Sequence, residues 1–339
     1  MNNNYIDKIF SCFKNLKIGV IGDYCLDLYW DINMTRSSLS NESPFCTFPV
    51  VQEKTSLGAA GNVVANLAAL CPQKIYAIGV LGSDWRRDII VEKLAELKCI
   101  DNKLIELENY STPAYCRLLQ FGTGETYTES NRIDFINIKP LLKSVEDKII
   151  NELDSICPDI DVLVVNDQLR QGLITPKIQR KLNEISKIGM KVVVDSRNNV
   201  KSYRNSILKV NKFEGLCAVL NKNNIYQDSL IEYDLDYMDK VAKKLAKETH
   251  SIIILTLGKD GVIIAENNHS TYIEAVKITG EIDSCGAGDT FISTFSLCLA
   301  ADMDVLTAAK ISNISSSIIL KKIGTTGTAT KEEILATLQ

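Results

Sequence analysis

The chain has 339 residues, 45% of them hydrophobic and 24% charged, with a mean hydropathy of +0.01, which excludes an intrinsically disordered chain and suits one that buries a large core. A net charge of −4 and a pI near 5.5 exclude a general attraction to nucleic acid or anionic lipid, so any phosphate handling has to be local. Ten cysteines without a CxxC spacing, and only two histidines, argue against a zinc site or a redox dithiol and fit reduced thiols of a cytoplasmic protein.

The N-terminal stretch is broken by Lys14, Lys17 and Asp23, unlike a secretory leader, and no apolar run is long enough to span a bilayer. "LKIGVIGDYCLD" (16–27) reads as a buried parallel strand that delivers polar residues at its C-terminal end. "GNVVANLAALC" (61–71) is a helix, and "KIYAIGVLGSDWRRDIIVEKLAELKC" (74–99) repeats strand, turn and helix. "DIDVLVVND", "KIQRKLNEISKIGMKVVVDSR", "LCAVLN" and "THSIIILTLGKDGVIIAE" continue the alternation, which predicts an α/β fold with a mostly parallel sheet and helices on both faces. Two segments break this rhythm, near 33–56 and 112–135. They alternate polar and apolar residues around turn formers, as strands of a small lid beside the ligand crevice would. No internal repeat and no Pro/Gly-rich linker divides the chain, so a single domain over 1–339 is expected.

In "DSCGAGDTF" (283–291), Gly286, Ala287 and Gly288 let backbone N–H groups approach an anion closely at the positive start of a helix. Asp289 is then placed to take a proton from an attacking hydroxyl while those N–H groups hold the charge of a transferring phosphoryl group. The same four residues also suit a plain cap after a Gly-rich turn, and alone they do not decide. No GxxxxGK[ST] loop and no GxGxxG after the first strand is present to bind phosphate elsewhere.

The nine-residue stretch resembles the C-terminal signature of the ribokinase-like, or PfkB, carbohydrate kinases, with Ser284 where the family has Thr. That resemblance implies a three-layer α/β/α fold with a β lid, ATP and Mg²⁺, and leaves open whether K⁺ is needed. It makes Asp289 the catalytic base and residues 286–288 the anion hole, and it places Asp283 in the nucleotide and monovalent-cation region. "NKFE" (211–214) resembles the family's Asn-x-x-Glu motif, implying that Asn211 and Glu214 hold Mg²⁺ through water; an amide and a carboxylate so spaced suit a hydrated hard cation, or simply begin a surface helix. "TLGKDG" is similar to the loop near the nucleotide, involving Thr256, Gly258 and Gly261, and Asn313 matches a position near the adenine.

"GDYCLD" and "GAAGNVVANLAAL" resemble the family's sugar-binding elements, implying hydroxyl recognition by Asp23, Asp27, Gly58 and Asn62, with Ala59 departing from the usual Gly-Gly. "GDYCLDLYW", "TRSSLSNESPFCTFPVV", "NRID" and "IGTTGTATKEEIL" are similar to the bacterial heptose-phosphate kinase branch. In the second lid segment Arg117 and Arg132 would face a sugar's phosphate and Asp134 a hydroxyl. "NDQLRQG" (166–172) departs from that branch. The expected activity is ATP-dependent phosphorylation of a sugar or sugar phosphate, without nucleic-acid or membrane partners, by a homodimer paired through the lid. A kinase for a free hexose, pentose or nucleoside, and a non-catalytic sugar or nucleotide sensor, are the alternatives.

Overall fold

The computed structural model describes residues 3–124, 126–222, 233–322 and 327–338. The chain runs α1 (Asn3–Cys12), β1 (Lys17–Gly22), β2 (Tyr24–Asn33), β3 (Val50–Ala59), α2 (Ala60–Ala69), β4 (Lys74–Gly82), α3 (Trp85–Glu96), β5 (Ile100–Leu107), β6 (Ala114–Phe121), β7 (Tyr127–Glu129) and β8 (Ile133–Phe135). It continues with α4 (Lys143–Ile156), β9 (Val162–Asp167), α5 (Pro176–Lys187), β10 (Val192–Ser196), β11 (Ile207–Asn211), α6 (Lys212–Leu220) and α7 (Leu235–Thr249). Strands β12 (Ile252–Thr256), β13 (Val262–Glu266) and β14 (His269–Ile273) precede α8 (Ala287–Ala300), α9 (Val305–Ile319) and α10 (Lys331–Thr337).

Among the described residues nine strands form the central sheet in the order β14-β13-β12-β11-β10-β9-β1-β4-β5. From β12 to β5 all pairs are parallel, and β13 and β14 close the edge as antiparallel hairpins. The unbroken apolar runs fit this arrangement, because parallel strands are covered on both faces. Alternate residues separate into two cores. Val162 and Val164 pack with α1, α2, α8, α9 and α10, whereas Leu163 and Val165 pack with α4, α5, α6 and α7. That is a three-layer α/β/α fold. Helix starts follow local chemistry, as where Thr175 accepts from the Ile178 N–H ahead of Pro176.

A second sheet, β3-β2-β6-β7 with β8 on β6, forms the lid. It takes in both segments expected to lie outside the main sheet, but it also takes residues 24–32, of which 24–27 were expected to continue the first strand. The chain leaves the central sheet after Gly22, and β2 pairs antiparallel with β3 and parallel with β6. The longer apolar run hid this break, because a buried lid strand is as apolar as a buried sheet strand. Likewise, the run "LCAVLN" is helical: it belongs to α6, and the sheet uses Ile207–Asn211 instead. Residues 323–326 of "IGTTGTATKEEIL", and residue 125 of the second lid segment, lie outside the described residues. Among the described residues no helix is long and apolar enough to cross a membrane.

Candidate active site

A cavity of about 860 Å³ opens beyond the C-terminal ends of β9, β10 and β11, lined by Arg132 of the lid segment and by Arg170, Arg197, Asn211 and Glu214 among others, the place where open α/β sheets take their ligands. Gly286 caps α8 in the left-handed region at φ 77°, a conformation that glycine adopts without strain. Asp289 follows in the first turn of α8, half-buried, with its Oδ2 accepting from Asn62 Nδ2 at 2.7 Å. Burial and the neighbouring Asp195 push the Asp289 carboxyl up to about 6, while the Asn62 hydrogen bond and Lys209 work the other way. Asp283 accepts from the Cys285 N–H at 2.9 Å and shapes the approach to the turn. Ser316 on α9 donates to the Ala287 carbonyl at 3.0 Å and fixes it from outside.

The lid contributes through strand register. Asp27 on β2 lies opposite Ser56 and Tyr115, and Tyr29 opposite Lys54 and Arg117, so these side chains share one face of the sheet. A Cβ on Gly58 would fall 2.8 Å from Asp27 Oδ1, so only a glycine leaves that carboxylate its place. Asp27 accepts no hydrogen bond among the described residues; burial raises it to about 6 against the pull of Arg117, Arg132 and Arg197.

Several expected ligand contacts are engaged elsewhere. Asp23 is buried, and its two oxygens accept the backbone N–H groups of Gln168, Leu169 and Leu173 at 2.7–2.9 Å. It ties down the 168–173 loop. Burial and Asp167 still push its carboxyl up to about 7. Asn62 is also buried, its amide divided between Asp289 and Asn66, so it positions Asp289 and is not open to a sugar. Asp134 is held by Arg132 through two hydrogen bonds of 2.6 and 2.7 Å. Arg132 itself lines the cavity and stacks 4.5 Å over the Tyr115 ring. Arg117 lies 3.6 Å from Cys285 Sγ and 3.7 Å from Glu129. Burial raises the Cys285 thiol, which marks it as a filler and not an activated nucleophile.

Asn211 and Glu214 line the cavity and form a capping box on α6: Asn211 Oδ1 accepts from the Glu214 N–H, and Glu214 Oε2 accepts from the Asn211 N–H. Glu214 Oε1 accepts no hydrogen bond among the described residues. No cluster of three or more His, Cys, Asp or Glu able to cage a metal occurs among those residues. One available carboxylate oxygen and an amide fit Mg²⁺, which keeps several waters and takes its remaining ligands from phosphates. Gly258 and Gly261, with positive φ, turn the chain beside a second cavity of about 310 Å³ that Leu257, Lys259 and Lys212 line. Thr256 donates to the Val210 carbonyl at 3.3 Å, and Asn313 donates to the Glu274 carbonyl at 3.0 Å. Both are structural hydrogen bonds.

Four residues absent from the sequence reading complete the site. Arg170 and Arg197 line the main cavity and make no ion pair or hydrogen bond through their side chains among the described residues. Asp195 and Lys209 form a buried ion pair of 2.6 Å at the strand ends. Burial works against the Lys209 charge, but Asp195, Glu214 and Asp289 together hold it above the usual lysine value. A signal did exist: an aspartate and a lysine interrupt the runs "VVVDSR" and "ILKVN", where an all-parallel sheet calls for apolar residues.

A half-buried aspartate at the first turn of a helix, next to a small-residue anion turn and under a β lid, defines a ribokinase-like phosphotransferase site. The chain belongs to the pfkB family of carbohydrate kinases, whose family model matches residues 49–332. It is 28% identical over 333 residues to the bifunctional protein HldE of Desulfatibacillum aliphaticivorans, covering 97% of this chain and 64% of that protein. With HldE of Campylobacter jejuni it shares 27% identity over 313 residues, covering 91% and 62%. The chain thus spans less than two thirds of the length of these relatives. Its fold is similar to that of ribokinase from Thermotoga maritima (TM-score 0.68, 18% identity, 95% and 99% coverage). It is likewise similar to that of phosphofructokinase-2 from Escherichia coli in complex with fructose-6-phosphate (TM-score 0.70, 15% identity, 95% and 98%). Family membership makes it a carbohydrate kinase.

Proposed function

We propose that the chain transfers the γ-phosphoryl group of ATP to a hydroxyl of a phosphorylated sugar, with a seven-carbon sugar phosphate as the favoured acceptor. The observation that carries this reading is the cavity's charge: Arg132, Arg170, Arg197, Lys201 and Lys222 line it, with Glu214 as the one acid among the described residues. A free sugar or a nucleoside has no use for so many cations, whereas a triphosphate and an acceptor phosphate brought together require them. The resemblance to the heptose-phosphate kinase branch supports the size of the acceptor.

In this mechanism Asp27 accepts a hydrogen bond from one sugar hydroxyl and orients the ring beneath the lid. Asp289, aimed by Asn62, takes the proton from the attacking hydroxyl as that oxygen meets phosphorus. The N–H groups of the 286–288 turn and the positive end of α8 stabilise the transferring phosphoryl. Asn211 and Glu214 would hold Mg²⁺ through water, and the ion when bound neutralises charge on the phosphates. Asp283 has no step assigned to it, and dependence on K⁺ is tested by replacing KCl with tetramethylammonium chloride. The lid segments near 33–56 and 112–135 belong, in this reading, to one kinase domain that pairs through the lid with a second copy.

The deciding experiment is ADP release from MgATP across heptose 7-phosphates, hexose phosphates, free hexoses and pentoses, and nucleosides. Turnover confined to phosphorylated sugars is the expected result. Preference for an unphosphorylated sugar or a nucleoside would overturn the acceptor class, and ligand binding without turnover on any of them would favour a sensor.

A further inference from the structure

The central sheet carries a row of polar residues into its own interior. Register places Gly22, Asn166, Asp195 and Lys209 side by side across β1, β9, β10 and β11. The row continues the sheet face on which Val164 and Val193 pack with α8. Lys209 Nζ lies 2.6 Å from Asp195 Oδ2, and both side chains are almost fully buried. It also lies 2.8 Å from the point that a Cβ on Gly288 would occupy, and, apart from the neighbouring residues of the turn, Lys209 supplies the nearest side-chain atoms to that point among the described residues. The ammonium, not its carboxylate partner, therefore abuts the first turn of α8, and the missing side chain of Gly288 is what admits it.

Packing does not explain this arrangement. A buried ion pair stabilises a fold no better than apolar residues of the same volume. Asp195 Oδ1 and both polar side-chain atoms of Asn166 are buried without a hydrogen-bond partner among the described residues, which costs further stability. Polar groups kept at such a cost beneath an anion-binding turn point to a role in its chemistry.

We propose that Lys209 is a positioning residue for phosphoryl transfer: clamped by Asp195 under the first turn of α8, it adds a fixed positive charge behind the N–H groups that receive the phosphoryl. This inference rests on the reading of residues 286–289 as the anion-binding turn. In the interior this charge is weakly screened, and it acts along the same axis as the positive end of the helix. Because it lies behind the turn and not in the cavity, it acts on the phosphoryl group and leaves the sugar contacts alone.

The test compares Lys209→Arg, Lys209→Met and the doubly neutral Asp195→Asn/Lys209→Met with wild type, on whichever acceptor the wild type uses. The double variant leaves no unpaired buried charge, so it separates the electrostatic role from folding even where Lys209→Met alone does not fold. Expected is a kcat lower by about 10- to 100-fold in the double variant, with the acceptor KM within about threefold and an unchanged Tm. Lys209→Arg should restore most of the rate. A double variant that folds and keeps kcat within about twofold of wild type overturns the inference. An acceptor-independent arm measures MgATP and MgADP binding by calorimetry, where the ratio of the two affinities should fall about fivefold or more in the double variant. An unchanged ratio counts against Lys209 even where no acceptor is turned over, whereas wild-type silence across the acceptors counts only against the proposed substrate.

Discussion

Asp289 has to be ionised to accept a proton, and its carboxyl is pushed up to about 6. kcat/KM should therefore fall about tenfold per pH unit below 6, whereas an ordinary exposed aspartate would hold its rate to about pH 4; the pH profile measures the difference. Asp289→Asn should lower kcat by about 10³-fold or more while MgATP affinity stays within about threefold, which single-turnover and calorimetric measurements read separately. Two aspartates that look alike in "GDYCLD" should behave in opposite ways. Asp27→Ala should cut kcat/KM by about 100-fold with Tm unchanged, since it removes a contact to the acceptor. Asp23→Ala should cost about 2–4 kcal/mol of stability, seen in denaturant unfolding, since it strips three buried N–H groups of their acceptor. The turn 286–289 was legible in sequence because its residues are neighbours. The division of labour between Asp23 and Asp27 was not, because the N–H groups that claim Asp23 come from residues 168, 169 and 173. Lys209 stayed hidden inside a strand whose other side chains are apolar.

Among the elements, the turn from β3 into α2 departs most from backbone preference. Ala59 caps α2 at φ 50° and ψ −125°, where a side chain is strained and glycine is not. Ala59→Gly should stabilise the protein by about 1 kcal/mol, the strain relieved outweighing the added freedom of the unfolded chain. Differential scanning calorimetry should show a Tm higher by about 2 °C. The alternation of strand and helix was readable along most of the chain, because buried parallel strands are short, apolar and bounded by turns. The exceptions were β2, whose apolar run gives no sign of changing sheets, and α6, whose start is marked by its capping box and not by periodicity.

At the scale of the molecule, the lid leaves Leu39, Phe45, Phe48, Val50, Val51 and Tyr127 well exposed, a concentration of apolar surface that a lone soluble chain avoids. Light scattering at micromolar concentration should give the mass of a dimer, and Phe45→Lys/Phe48→Lys should shift it to that of a monomer; a monomeric wild type would refute pairing through the lid. The layered fold was legible in the sequence, whereas this surface was not, because it gathers residues from both lid segments. The stitching of the lid has its own consequence. Its central pairing, β2 with β6, joins residues as distant along the chain as Leu26 and Ala114, and closing so long a loop costs entropy before any contact repays it. During refolding, helical circular dichroism should therefore recover ahead of catalysis, with a lag as the crevice waits for its roof.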